Sequence, residues 1–192
     1  MRKYFFIVLP AIFSLYSCWH RSTVPEPPLV KVWGFKPVYT LDSSVLEIKA
    51  SAARPIDIPG KIYAKGNLVF QNDVGRGIHV FDNLDPSAMR AIGFINILGS
   101  SEISIRGNYL YTNSFTDLVV VDISDWQQVK EVSRVKQAFI QGQEVYRASY
   151  HEFLPPPEHG VWFECPNLFL SSAQILAGWV RDSIYNNNCF YQ

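Results

Sequence analysis

The chain has no surplus of positive or negative charge and lacks the common sequence motifs of catalytic, cofactor-binding and metal-binding sites. Lys and Arg total 17, as do Asp and Glu, so the formal net charge is zero and no basic excess attracts a nucleic acid. No phosphate-binding loop, dinucleotide fingerprint or G-x-S-x-G elbow is present. The three cysteines include no CxxC pair of the kind that zinc sites use. The sequence therefore predicts no catalytic residue, no metal, no cofactor and no nucleic-acid partner.

Long hydrophobic runs are also lacking, but a short one lies at the start of the chain. "YFFIVLPAIFSLY", residues 4–16, follows Arg2 and Lys3 and is shorter than the ~20 residues of a spanning helix. A basic start, a short apolar run and a small residue are typical of a secretory signal peptide. "LYSC" resembles the lipobox of bacterial lipoproteins, in which the cysteine is acylated after cleavage. We expect a signal peptide at residues 1–17 and lipidation of Cys18, with an ordinary signal peptide as the alternative.

Prolines are concentrated directly after that cysteine. Residues 18–37 contain Pro25, Pro27, Pro28 and Pro37, which favour an extended chain without backbone donors. We expect this segment to be a tether between a lipid anchor in the membrane and a folded domain. The expected location is the bacterial cell envelope, in the outer membrane, with the leaflet left open.

The two remaining cysteines, Cys165 and Cys189, are 24 residues apart. In an oxidising envelope compartment such a pair is a candidate disulfide. Two unpaired, partly buried thiols are the alternative.

A repeat is the clearest pattern in the chain. Gly66-Asn67 matches Gly107-Asn108 at an offset of 41, and Asp82 matches Asp122 at an offset of 40. A period near 40 suits four short strands per unit, as in a propeller blade. We expect strands near residues 62–65, 68–72, 78–82 and 91–97, and again near 102–106, 109–113, 118–123 and 129–136.

The repeated polar residues have structural roles in this interpretation. Gly66 and Gly107 lie where a tight turn needs positive φ. Asp82 and Asp122 follow the third strand of each unit, where a carboxylate accepts hydrogen bonds from turn N–H groups. Ligation of a cation or substrate is the alternative, but a turn residue recurs in each unit whereas a ligand need not.

"DLVVVDIS" and, one period earlier, "GIHVFDN" resemble the LVIVD repeat, a propeller-type repeat of bacterial and archaeal surface proteins. The resemblance covers roughly residues 36–139 and extends to a Bacteroidetes-type lipoprotein group. It implies an all-β fold: a partial, propeller-like array of four-stranded antiparallel blades. We expect two repeats at residues 38–139 and a degenerate third unit or tail at residues 140–192. So few blades leave sheet edges uncovered, which favours self-association.

Two groups of residues remain as candidate sites. His151, Glu152, Glu158 and His159 flank "FLPPP" without the spacing of a known zinc motif. The aromatic residues are a candidate surface for protein or glycan, although most are expected to pack internally: Trp126, Trp162, Trp179, Tyr109, Tyr111, Tyr146 and Tyr150.

The sequence thus favours a non-enzymatic binding or scaffolding protein at the membrane surface. A metal-dependent or hydrolytic enzyme using the His151–His159 loop is one alternative. A truncated propeller with no independent function is the other.

Overall fold

The protein is all-β. The computed structural model describes residues 28–139, 154–166, 174–186 and 189–191, which contain no α-helix. Three short 3-10 turns lie at Ser43–Leu46, Pro86–Ala88 and Trp126–Gln128. The strands in chain order are β1 (Lys31–Thr40), β2 (Lys49–Ser51), β3 (Pro59–Lys65), β4 (Leu68–Asp73), β5 (Gly77–Asp82), β6 (Arg90–Asn96), β7 (Ser104–Arg106), β8 (Tyr109–Ser114), β9 (Asp117–Asp122), β10 (Lys130–Val135), β11 (Val161–Phe163), β12 (Ile175–Tyr185) and β13 (Cys189–Tyr191).

The two repeats form two antiparallel sheets. The first repeat sheet has the order β2-β6-β5-β4-β3, and the second has the order β10-β9-β8-β7. All eight predicted repeat strands are present, close to their predicted positions. The first sheet has one strand more than the predicted four, because β2 pairs with β6 from Lys49↔Asn96 to Ser51↔Phe94.

The repeats share their irregularities as well as their strands. Each has a register shift between its last two strands, which leaves Ile92 in the first and Val132 in the second without a cross-strand partner. A bulge of this kind increases the local twist of a sheet. The period of 40 residues therefore repeats a backbone geometry and not only a residue pattern.

A third sheet is built from both ends of the described chain. Its order is β12-β1-β11-β13, with β1 antiparallel to β12 along its whole length and parallel to β11. It is therefore not a third antiparallel meander, because β1 supplies one of its inner strands. The predicted tether also differs, since residues 31–37 belong to β1. Pairing with β11 ends at Phe35, so Pro37 lies where β1 has one neighbouring strand, as a proline requires.

The main core lies between the two repeat sheets. Phe70, Ile78 and Ile95 from the first pack with Leu110 and Val121 from the second. Across the same interface the Tyr63 hydroxyl donates to the carbonyl of Ile105 at 2.7 Å. Trp126 of the second repeat covers Gly93 of the first, where a β-carbon would overlap the indole ring.

The third sheet meets the repeats through a smaller cluster of Phe115, Leu154 and Leu176. This contact leaves two cavities, one between the third sheet and each repeat. No helix among the residues described is both long and apolar enough to cross a membrane.

Candidate functional site

The repeated turn residues are engaged within the fold. Gly66 and Gly107 have φ of +57° and +58°, and each opens a two-residue hairpin turn. Asp82 accepts a hydrogen bond from the Leu84 N–H at 3.0 Å, and Asp122 accepts one from the Ser124 N–H at 2.8 Å. These N–H groups lower the pKa of both carboxyls, and Arg90 adds to the effect at Asp82. This is the geometry of carboxylates that cap a turn.

A second carboxylate in each turn was missed in the sequence. Asp85 accepts from the Ser87 N–H and Asp125 from the Gln127 N–H, each at 2.9 Å, and each begins a 3-10 turn. The signal that reveals it is the repeated spacing D-x-x-D in "DNLDP" and "DISDW".

A disulfide joins Cys165 and Cys189, with 5.2 Å between the α-carbons. It lies where β13 runs beside the end of β11, next to the pair Phe163↔Cys189. The bridge fixes the edge strand β13 to the third sheet. Cys18, the predicted lipidation site, lies outside the described residues.

The loop of the enzyme hypothesis is only half described, because His151 and Glu152 lie outside the described residues. Glu158 lies 3.8 Å from the guanidinium of Arg181, and His159 stacks on Tyr191 with 4.3 Å between ring centroids. Across the described parts of the chain, no group of three His, Cys, Asp or Glu side chains is arranged to hold a metal ion.

The tryptophans of the candidate surface contact other residues. Trp126 lies over Gly93, and Trp162 meets Phe190 edge to face with 5.0 Å between centroids. The Trp179 indole N–H donates to the carbonyl of Leu154 at 2.9 Å. Of the candidate tyrosines, Tyr109 and Tyr111 lie on β8. Tyr146 and Tyr150 lie outside the described residues.

A buried polar pair lies within the first repeat. His79 Nε2 is 3.3 Å from Asp73 Oδ2, and both side chains are fully buried. Asp73 also accepts hydrogen bonds from the backbone N–H groups of Asp57 and Ile58, at 3.3 and 2.8 Å. Asp73 therefore fixes the loop before β3. The isolated histidine in the sequence gave no indication of this pairing.

The arginine pocket is the cavity between the first repeat sheet and the third sheet. It has a volume of about 410 Å³, within the range of small-ligand sites. Its polar wall carries Arg54, Arg76 and Asn96, and its apolar wall carries Leu98, Leu154 and Trp179. The pocket thus combines positive charge with apolar surface.

Both arginines are held by Asp57. Arg54 Nη2 lies 3.0 Å and Arg76 Nε 2.8 Å from the same oxygen, Asp57 Oδ2. Arg76 Nη1 also donates to the Val74 carbonyl at 3.1 Å, and the Arg54 guanidinium lies 4.8 Å from the centroid of the Phe94 ring. One carboxylate therefore faces two guanidinium groups.

The second cavity, between the third sheet and the second repeat, has about 430 Å³, and its charged lining residues are Asp117, Arg134 and Lys136. Arg134 there donates to Asp117 at 3.1 Å and to Glu131 at 2.8 and 2.9 Å. Hydrogen bonds to Glu131, and then to Asp117, raise the pKa of Arg134 above its ordinary value. Two carboxylates therefore neutralise this one guanidinium.

Comparison with known protein families adds one match. The family model of the LVIVD repeat matches residues 99–137, which include β7 to β10. This segment is an LVIVD repeat. An LVIVD repeat suggests a β-propeller-like fold, and residues 99–137 contain a four-stranded antiparallel sheet. No curated protein and no solved structure matches the chain.

Proposed function

We propose that this protein is a cell-envelope lipoprotein whose LVIVD-type repeat domain binds a ligand or partner without catalysis. The observation that carries the binding role is the arginine pocket, where two fixed guanidinium groups face an apolar wall. Preformed pockets with a few convergent polar groups are the usual form of a ligand site. The repeated carboxylates cap turns instead, which supports a structural role for the repeats themselves.

The proposed anchor gives the domain a defined reach. From Cys18 to the start of β1 at Lys31, the chain would span at most about 40 Å as an extended polyproline-type segment. The third sheet, which begins with β1, would then be the part of the domain nearest the membrane. The disulfide in that sheet supports an oxidising compartment.

Incorporation of labelled palmitate in a bacterial host tests the anchor. We expect label in the full-length chain and none in the Cys18→Ala variant, with the protein shifted from the membrane to the soluble fraction. Cys165→Ala is the matched control, because it removes a cysteine that belongs to the disulfide. Label that persists in Cys18→Ala, or is absent from the parent chain, would show that Cys18 is not acylated.

Recovery of bound molecules from the native protein tests the binding role. The full-length chain is purified from membranes and denatured, and the released molecules are compared with those from an Arg54→Gln/Arg76→Gln variant. We expect a species that the parent releases and the variant does not. The Arg90→Gln variant is the control, because its guanidinium contacts only Asp82 among the residues described. Equal release from all three proteins would contradict binding at this pocket.

A further inference from the structure

We propose that the arginine pocket binds an organic carboxylate that carries an apolar or aromatic group. This inference rests on the proposed binding function and names the class of ligand. Two kinds of molecule offer a carboxylate beside an apolar group: a free aromatic acid, and the carboxyl terminus of a peptide whose last residue is apolar.

The charge of the pocket is the first argument. Arg54 and Arg76 share the single carboxylate of Asp57, and none of the described residues that line the cavity is acidic. By direct contacts, two guanidinium groups therefore face one carboxylate. The charge of Arg76 also acts on Tyr191, where burial raises the pKa of the phenol and Arg76 opposes that rise. An anion in the pocket would balance this charge.

The donors of the pocket are the second argument. Asp57 and Val74 occupy one nitrogen of Arg54 and two of Arg76. Among the described residues, Arg54 Nε and Nη1 and Arg76 Nη2 have no protein acceptor. Guanidinium N–H groups match the two oxygens of a carboxylate, and such charge-assisted bonds are the strong ones.

The fixed positions of the arginines are the third argument. Arg54 is held over Phe94, which is fully buried, and by Asp57. Arg76 is 14% exposed and is tied to the Val74 carbonyl. Side chains that are ordered before binding lose less entropy when a ligand arrives.

The apolar wall determines which chemical group the rest of the ligand carries. Leu98 and Leu154 line it with Trp179, whose indole N–H is already bonded to the Leu154 carbonyl. The ring surface of Trp179 is therefore what a ligand contacts. Gly178 lies on the same wall, and a β-carbon there would have no neighbour within 4 Å. The wall fits an apolar or aromatic group better than a second charge.

The second cavity supplies an internal comparison. Its volume is similar, but Arg134 is paired with both Asp117 and Glu131. All three nitrogens of Arg134 already donate to these carboxylates, although Lys136 adds a positive charge to that lining. Of the two cavities of similar size, the arginine pocket is therefore the one whose guanidinium groups keep donors without an acceptor among the described residues.

Calorimetric titration of the purified full-length protein tests the proposal. The probes are 3-phenylpropionate, N-acetyl-Phe-Phe with a free carboxyl terminus, and the same peptide amidated. We expect at least one acid to bind in a one-to-one ratio and the amide to bind at least about tenfold more weakly. Stronger binding of 3-phenylpropionate identifies a free acid as the source, and stronger binding of the peptide acid identifies a chain terminus.

Variants of the pocket residues test whether the acid binds in the arginine pocket. Arg54→Gln and Arg76→Gln should each weaken binding of the acid at least about tenfold, while Arg90→Gln should leave it unchanged. Gly178→Leu should weaken binding, because it adds a large side chain to the lining of the pocket, where a β-carbon meets no atom within 4 Å. Arg54→Lys keeps the charge and should retain part of the affinity. Thermal melting of each variant separates loss of binding from loss of folding.

Several results would overturn the proposal. Equal binding of acid and amide would show that the carboxylate is not recognised. Binding that survives Arg54→Gln and Gly178→Leu would place the site elsewhere. No heat from either acid at millimolar concentration, or displacement by inorganic phosphate at equal concentration, would show that the ligand class is wrong. Palmitate labelling is independent of all these results, so the lipoprotein proposal would stand or fall separately.

Discussion

The two repeats have the same backbone and different interiors. Four strands and the bulge between the last two correspond, yet Asp73 and His79 in the first repeat lie where the second has Ser114 and Val119. The first interior holds a buried ionisable pair. At the same point of the second, Ser114 donates to the Leu98 carbonyl at 3.0 Å beside an apolar valine.

The difference lies directly beneath the arginine pocket. Asp73 binds the backbone N–H of Asp57, whose carboxylate holds both pocket arginines. His79 packs edge to face on Phe94, the ring that supports Arg54, with 4.7 Å between centroids. The position of Phe94 is taken by Arg134 in the second repeat. The shared residues therefore maintain turns, and the residues that differ shape the cavity.

Exchanging the two interiors should produce the largest effect. In Val119→His, a buried histidine without a carboxylate partner and larger than the valine should destabilise the protein by about 4 kcal/mol. In His79→Val, Asp73 loses its histidine partner but keeps its two backbone donors, so the loss should be about 2 kcal/mol. Urea denaturation of both variants measures the contrast, and equal losses would show that the interiors are equivalent.

Asn72 and Asn113 occupy matching positions in the two repeats, and replacing them should give the next largest loss of stability. Asn113 accepts from the N–H groups of Ser101 and Glu102 and donates to the carbonyls of Gly99 and Phe115, whereas Asn72 makes two bonds and has an oxygen without a partner.

Asn113→Ala should therefore cost about 3 kcal/mol and Asn72→Ala about half as much, both measured by urea denaturation. Asn96→Ala, at an exposed amide, is the control. A larger loss of unfolding free energy for Asn72→Ala than for Asn113→Ala would show that Asn72 stabilises the fold more than Asn113 does.

The contact between repeats should have an intermediate effect. Gly93→Ala introduces a methyl group against the Trp126 ring and should destabilise the protein by about 2 kcal/mol. Ser133→Ala, at the matching position on the exposed side of β10, should change stability by no more than about 0.5 kcal/mol. Tryptophan fluorescence followed during unfolding measures both. A tolerated Gly93→Ala would show that Trp126 can move away at little cost.

The smallest effect concerns acid stability. The folded-state pKa values of Asp82 and Asp122 lie below the ordinary 3.8, so the ionised carboxylates stabilise the fold above that pH. This contribution is lost as the pH falls through the folded-state values. Asp82→Asn/Asp122→Asn should therefore flatten the decline of melting temperature below pH 4, with Glu47→Gln, at an exposed carboxylate outside the repeats, as the control. An unchanged decline would show that other groups carry it.

Local patterns account for the part of the fold that could be predicted. The repeat strands follow from runs of β-branched and aromatic residues bounded by Gly66 and Gly107, and all these signals lie within a few residues of one another. The third sheet has no such signal, because β1 and β12 are separated by more than 130 residues. The prolines that predicted a tether also mislead at Pro37, where only the neighbouring strands determine whether proline is tolerated.

The candidate site could not be predicted for the same reason, because it depends on contacts between segments that are distant in the sequence. Arg54 and Arg76 lie in two segments whose local sequence is that of loops, "SAARPIDIPG" and "NDVGRG", and neither segment is distinctive alone. Only the shared contact with Asp57 and the arrival of Trp179 from the third sheet create a pocket. The sequence predicts that most of its candidate aromatic residues pack internally and that a few form a binding surface, and of the candidates Trp179 lines the cavity.

The pairing of β1 with β12 imposes an order of assembly on the chain. Residues 31–40 are synthesised well before residues 175–185, so β1 cannot pair with β12 until the chain has been made as far as that strand. The repeats need no partner beyond residue 139 for their own hairpins. The repeats can therefore form before the third sheet, and the arginine pocket is complete only after β12 has packed against them.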